Sequence, residues 1–450
     1  MSKLLRRIIF SFFLLFFIVA GFLIVFYGSG YQYHFQKKKI EKTGQVSIIS
    51  KPKDAHVTIN DQIPLEWWEW LLGKTTVTTP ARIINLLSGE YHIQVTKDGY
   101  EPWNGVIHVQ AGKTLILDSI ILLPQLKAES TYLNEDIRYV ELLEKSVLIA
   151  TSHELILFDQ EKGSAQTILT LKEPLKKLQL APNKKNVLVG TGARDFILEL
   201  KKSYILRELR GVSGRFELLV WDSQSDIIAK DSLGIIRIVV NSELNYKQIL
   251  SKNVLSLSII GKNVWYQIQE KDHTKLYLYS DAILQKRGFI TDISATYELS
   301  EYFQDSNPIF SKGAEKFLFD RGVNPPQLIP LGNMIHIIPS FSDTFYGMNE
   351  FEIFEFKKMP KGMLEKNLLT REGTVLRDIF TIQPLPYIVF VYSNGYAGLV
   401  RVGDTTGNQR YRIPDVTDIT LIKFDSSKKE LYLVGSKDTK RGLYKIKIIE

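Results

Sequence analysis

The sequence predicts a mainly β protein held on one apolar helix. An N-terminal transmembrane helix leads to a small β-sandwich and then to a β-propeller of about seven blades. Three observations give this reading. Residues 8–27, IIFSFFLLFFIVAGFLIVFY, carry no charge, and a helix of that length rises about 30 Å, the thickness of a bilayer's hydrocarbon core. Residues 44–124 alternate apolar and polar side chains between turn residues, the pattern of half-buried strands. Residues 125–450 repeat a three-strand pattern with a period of roughly 40 residues, the size of a propeller blade.

The first element sets the topology. Lys3, Arg6 and Arg7 precede the apolar run, and by the positive-inside rule they hold residues 1–7 in the cytoplasm. Lys37, Lys38, Lys39 and Lys42 follow it, but they lie farther from the apolar run. The expected arrangement is a single-pass membrane protein, with its N-terminus cytoplasmic and its bulk extracytoplasmic. A cleaved signal peptide is the rival, although its apolar region is ordinarily shorter. Residues 28–43 read as a juxtamembrane stalk.

In the next unit, Tyr91, Ile93 and Val95 alternate with His92, Gln94 and Thr96. Pro52, Asn60-Asp61, Ser88-Gly89 and Asp98-Gly99 supply turns. The ordered series Ser50-Lys51-Pro52-Lys53-Asp54-Ala55, Val57-Thr58-Ile59-Asn60-Asp61, Gly73-Lys74-Thr75, Thr79-Pro80, Leu87-Ser88-Gly89-Glu90-Tyr91 and Gly99-Tyr100 resembles the PEGA domain. That family usually has Gly at the position of Asp54, and Asp tolerates the left-handed conformation such a turn needs. The resemblance implies a small β module on a surface or envelope protein, used for binding or spacing. A departure follows Asp61, where the chain inserts a loop with Trp67, Trp68, Trp70 and Leu71. Three readings stand: a short helix covering one end of the sheet, contact with the membrane interface, or an aromatic platform for a ligand.

Residues 125–450 give seven copies of the strand pattern, with six or eight blades left open. The clearest second strands are 146–151, 186–190, 226–230 and 387–392, apolar on both faces as a sheet stacked between two neighbours requires. Leu180-Ala181-Pro182-Asn183-Lys184-Lys185 and Phe424-Asp425-Ser426-Ser427-Lys428-Lys429 resemble the first hairpin of WD40-like blades. Trp221-Asp222 occurs once, in the wrong strand for the WD signature. A degenerate copy joins 308–310, 315–319 and 350–356. It is interrupted at 321–348, where Pro325, Pro326, Pro330 and Pro339 suggest an insertion on one rim. Residues 359–369 read as a lysine-bearing loop.

Composition narrows the function. With no cysteine, disulfides, thiolate catalysis, Cys-held zinc and iron–sulfur clusters are excluded. The net charge of +8 is spread among carboxylates, which describes a mixed solvated surface rather than a nucleic-acid groove. The seven histidines form no helical metal-binding spacing, and no nucleophile elbow or phosphate loop is present. Asp222 with Asp226, and Asp415 with Asp418, read as turn carboxylates. The sequence therefore predicts a non-enzymatic, membrane-anchored envelope scaffold with no cofactor, metal or nucleic-acid partner. Its propeller would bind an envelope protein or glycan. The alternatives are a propeller hydrolase acting on envelope glycans or peptides, and a purely structural spacer.

Overall fold

A computed structural model describes residues 3–34, 38–60, 76–201, 204–211, 215–241, 243–250, 254–260, 263–270, 273–280, 287–293, 297–303, 307–320, 326–339, 344–359, 363–385, 387–402, 410–413 and 415–448. Contacts divide the chain into two units. One is built mainly from residues 1–126 and the other from residues 127–402 and 412–447.

In the first unit, helix α1 spans Lys3–Gly28. Its central stretch, Ile9–Phe26, has a mean hydropathy of 3.0 and is not buried against protein. Lys3, Arg6 and Arg7 fall in its first two turns. The segment expected as a stalk contains two strands, β1 (Tyr31–His34) and β2 (Lys39–Lys42), which pair antiparallel. Six strands follow: β3 (Gly44–Lys51), β4 (His56–Ile59), β5 (Ala81–Leu86), β6 (Gly89–Thr96), β7 (Trp103–Val109) and β8 (Thr114–Ile121). They form two three-stranded sheets, β5-β3-β8 and β4-β6-β7, with β3 and β8 parallel. Val46, Ile48, Val57, Ile93, Val95, Trp103 and Leu117 fill the space between. Asp54 has φ 60°, the left-handed conformation expected where the family has Gly. His108 lies opposite Glu90 and His92 opposite Val106, so the two histidines are diagonal neighbours.

The second unit contains eight consecutive four-stranded antiparallel sheets among the described residues. They span residues 139–170, 175–209, 218–250, 254–293, 298–333, 336–371, 376–412 and 417–447; we call them blades 1 to 8. Blade 8 supplies only three strands of its own. Its outer strand is β9 (Ala128–Leu133), which pairs with Lys440–Lys447. The first strands of blades 1 and 8 touch each other, as do those of blades 4 and 5, 5 and 6, and 6 and 7. The ring is closed, and the fold is a propeller.

Side-chain alternation explains the ring. In blade 1, Val147 and Ile149 pack into a cluster with Tyr432, Val434 and Leu443 of blade 8. Their neighbours Leu148 and Ala150 pack with Val187 and Val189 of blade 2. In blade 3, Ile227 and Ala229 face blade 2, while Ile228 faces blade 4. Each sheet needs two neighbours to bury both faces, and closure supplies them to all eight.

The blade count is eight rather than seven because the degenerate copy is two blades. Residues 298–333 and 336–371 form separate sheets, and the supposed insertion contributes Gln327–Asn333, His336–Pro339 and Thr344–Met348 to them. The supposed loop at 359–369 contains most of blade 6's outer strand, Leu364–Arg371. Pro330 sits at a register shift on an outer strand, and Pro339 ends an inner one. Both are places where a missing N–H is tolerated.

Closure is tight at Gly442, where an added Cβ would lie 2.6 Å from the Tyr132 carbonyl oxygen of β9. Gly442→Ala is therefore expected to lower stability by about 1–3 kcal/mol through local overpacking. Urea unfolding of the variant against wild type measures this, and an unchanged midpoint would contradict so close a seam.

Candidate functional site

The antiparallel meander gives the propeller two distinct faces. The turns between second and third strands and the connections between blades lie on one, here the upper face. The first-to-second and third-to-fourth turns lie on the lower face. Ala128, where β9 begins, pairs with Ile446 near the end of the third strand of blade 8, so the chain enters the propeller on the lower face.

The upper face opens into a cleft of about 900 Å³ between blades 5 and 6. Four segments line it: the blade 5 turn at Gly313-Ala314, the connection Asn333-Met334-Ile335, the blade 6 turn Asn349-Glu350-Phe351, and Arg371-Glu372. The frame is pinned by hydrogen bonds. Asn349 Oδ1 accepts the Phe351 and Glu352 N–H groups at 2.9 and 2.7 Å. The backbone of Glu372 donates to the Phe351 carbonyl and that of Leu376 to the Glu350 carbonyl, each at 2.7 Å. The Ile335 N–H donates to the Met348 carbonyl at 2.7 Å. Phe351 and Ile335 nevertheless remain 41% and 44% exposed, so two apolar side chains face solvent on a fixed frame.

The charges are held too. Arg371 Nε donates to Glu352 Oε1 at 2.8 Å, and Asn349 Nδ2 donates to Glu352 Oε2 at 2.9 Å. The Asn349 amide and the Arg371 guanidinium hold Glu352 below the usual carboxylate range. The buried Glu372 accepts hydrogen bonds from Thr370 Oγ1 at 2.6 Å and from the Tyr392 hydroxyl at 2.7 Å. Lys316 adds a second cation to the lining. The cleft thus offers apolar contact and both signs of charge.

At the axis, side chains of inner strands reach to the next blade. The Tyr139 hydroxyl donates to the Lys176 carbonyl at 2.6 Å. Lys177 Nζ donates to the Leu219 carbonyl, and Arg377 to the Ile419 carbonyl. Burial lowers the Lys177 pKa against the opposing field of Asp195. His336 Nε2 lies 3.9 Å from Asp378 Oδ1, and burial raises Asp378 while the nearby His336 pulls it down. These groups bridge consecutive blades in pairs.

A second charged cluster, in blade 3, is structural. Arg237 donates to Asp222 Oδ2 and Asp226 Oδ2 at 3.0 Å each, and to Gln224 Oε1 at 2.9 Å. Asp222 Oδ1 caps the turn by accepting the Gln224 and Asp226 N–H groups. Trp221, with its indole N–H on the Gln179 carbonyl, anchors the same turn to blade 2. The Asp222/Asp226 pair is thus a turn device, as expected. No group of three or more His, Asp or Glu suited to a metal ion occurs among the described residues.

Of the residues singled out in the sequence, Trp67, Trp68, Trp70 and Leu71 lie outside the described residues. The cleft itself was missed. Its parts come from four segments spread over sixty residues, and the only sequence signal was the proline-rich interruption between blades.

Residues 43–120 match the PEGA domain. A search of curated protein sequences finds no match. Among solved structures, the WD40 domain of SCAP from fission yeast is 9% identical with a TM-score of 0.46, covering 72% of this chain and 98% of its own. A streptogramin B lyase is 10% identical with a TM-score of 0.41, covering 72% and 98%. Virginiamycin B lyase from Staphylococcus aureus is 10% identical with a TM-score of 0.37, covering 72% and 100%.

Two outcomes follow from these charges. Arg237→Met leaves the buried Asp222 and the partly buried Asp226 without their cation and is expected to cost about 3 kcal/mol in denaturant unfolding. Glu352 has a folded pKa below its unfolded value, so its contribution is present above the unfolded pKa and is lost as pH falls through the folded one. Comparing the melting temperatures of wild type and Glu352→Gln across acid pH checks this: the gap should close as pH falls.

Proposed function

We propose that this chain is a membrane-tethered binding protein of the cell envelope. In this reading α1 crosses the bilayer with Lys3, Arg6 and Arg7 on the cytoplasmic side, and the PEGA domain and propeller lie outside. The propeller presents the cleft between blades 5 and 6 to a polypeptide partner.

The cleft carries this proposal. It lies on the face opposite the one where the chain enters the propeller, so no chain connection to β9 obstructs it. Phe351 and Ile335 supply exposed apolar area on a hydrogen-bonded frame, which lowers the entropic cost of binding. Glu350, Arg371 and Lys316 add charges of both signs around them. An extended polypeptide offers matching apolar and charged groups, whereas a glycan would favour a broader aromatic platform than the single ring of Phe351.

Site-specific photo-crosslinking on intact cells tests the proposal. A crosslinker at Phe351 should give a protein adduct, and one at Lys184 on the lower face should not. Replacing both Phe351 and Arg371 by Ala should weaken binding of the captured partner by at least about tenfold. Equal crosslinking from both faces, or capture of a glycan alone, would overturn the assignment. Protease added to intact cells should degrade the propeller; protection until lysis would reverse the topology.

A further inference from the structure

β1 and β2 form a two-stranded hairpin ladder of their own, outside the sheets of either β core. β1 and β2 pair Tyr31 with Lys42, Gln32 with Glu41, and Tyr33 with Ile40. Side chains alternate across a strand, so Tyr31, Tyr33, Ile40 and Lys42 share one face. Gln32, Lys39 and Glu41 share the other, where Lys39 and Glu41 form an ion pair of 2.8 Å. On the first face Tyr31 is 39%, Tyr33 44% and Ile40 57% exposed. A two-stranded hairpin is marginally stable in water, and this one turns its apolar face outward.

That face is continuous with the helix. The Tyr31 ring stacks on Phe26 with centroids 5.5 Å apart, and Phe26 stacks on Phe22 at 6.0 Å. The backbone and hydroxyl of Thr43 donate to the Gly30 carbonyl at 2.7 and 2.8 Å, closing the hairpin's base against the end of α1. A strand of four residues reaches only about 13 Å, so the whole hairpin stays near that end.

We infer that this hairpin is a membrane-interface foot, with the Tyr31, Tyr33 and Ile40 face seated in the headgroup layer of the bilayer that α1 crosses. The inference rests on the reading of α1 as a membrane span. Tyr rings suit that layer because each joins an apolar body to a polar tip. Lys42 on the same face matches anionic headgroups. The foot would fix the first β unit's attitude to the membrane, which a free stalk would not do.

The chain has no cysteine, so single cysteines carry a nitroxide label without background. The full chain is placed in vesicles of phosphatidylcholine and phosphatidylglycerol. Labels at Tyr33 and Ile40 are compared with one at Val19 in α1 and one at Lys162 on an exposed turn of blade 1. The expected result is a several-fold lower accessibility to a water-soluble relaxant at 33 and 40 than at 162, with 19 in the hydrocarbon. Labels at 33 and 40 as accessible as 162, with 19 still lipid-embedded, would overturn the foot and leave the span intact. A water-accessible label at 19 would overturn both. Should a label disturb the hairpin, the unlabelled triple variant Tyr31→Ser, Tyr33→Ser, Ile40→Ser gives a second measurement. Trypsin should cut it after Lys39 and Lys42 several-fold faster than wild type in the same vesicles, and equal rates would overturn the inference.

Discussion

The propeller depends on one constraint: each blade is apolar on both faces of its sheet, so no blade can bury itself. Seven adjoining pairs share a defined apolar cluster, and blades 7 and 8 are joined by the Ile419 N–H on the Gly395 carbonyl. A row of such sheets would leave two apolar faces open at its ends. Pairing β9 with the third strand of blade 8 removes that exposure and also covers a strand edge. The contact between the first strands of blades 1 and 8 then completes the ring. Gly442 shows the cost in sequence freedom, since β9 approaches there too closely for any side chain.

Much of this was legible because burial and turn chemistry leave periodic marks. The second strands announced themselves as short continuous apolar runs. The turns announced themselves through residues that bond their own backbone: Asn183, Asp222 and Asp425 each accept N–H groups within the next residues, and Lys184 and Lys429 both take left-handed φ. Asp54 behaved as its position in a PEGA-like turn suggested. The sequence pattern merges blades 5 and 6 because the prolines between them interrupt its apparent strands. Pro330 and Pro339 instead occupy a register shift and a strand end, where the lost donor does not interrupt the ladder. Pattern reading sees proline as punctuation, but it cannot see which ladder position is free.

The cleft was illegible for a related reason. Glu352, Arg371 and Asn349 are unremarkable surface residues in the sequence; their meeting is made by the register of Glu352 opposite Arg371 and by the turn that Asn349 caps. The buried Arg237 cluster has a stronger ionic signature than the cleft, yet its bonds are consumed in holding one turn of blade 3. Charge density alone therefore points to the wrong place. What separates the two is exposed apolar area beside the charges, which the cleft has and the Arg237 cluster lacks.

Closure also decides which face is free. Connections from each outer strand to the next inner strand lie on the upper face, so the strand that closes the ring must begin on the lower one. β9 does so at Ala128, and the third strand of blade 8 ends on the same face at Lys447. Among the described residues the upper face carries turns and blade connections, and the cleft between blades 5 and 6 lies among them. The strand exchange that seals the core thus also brings the chain in on the face opposite the cleft, and this is why the site on the upper face is the one to test for a partner.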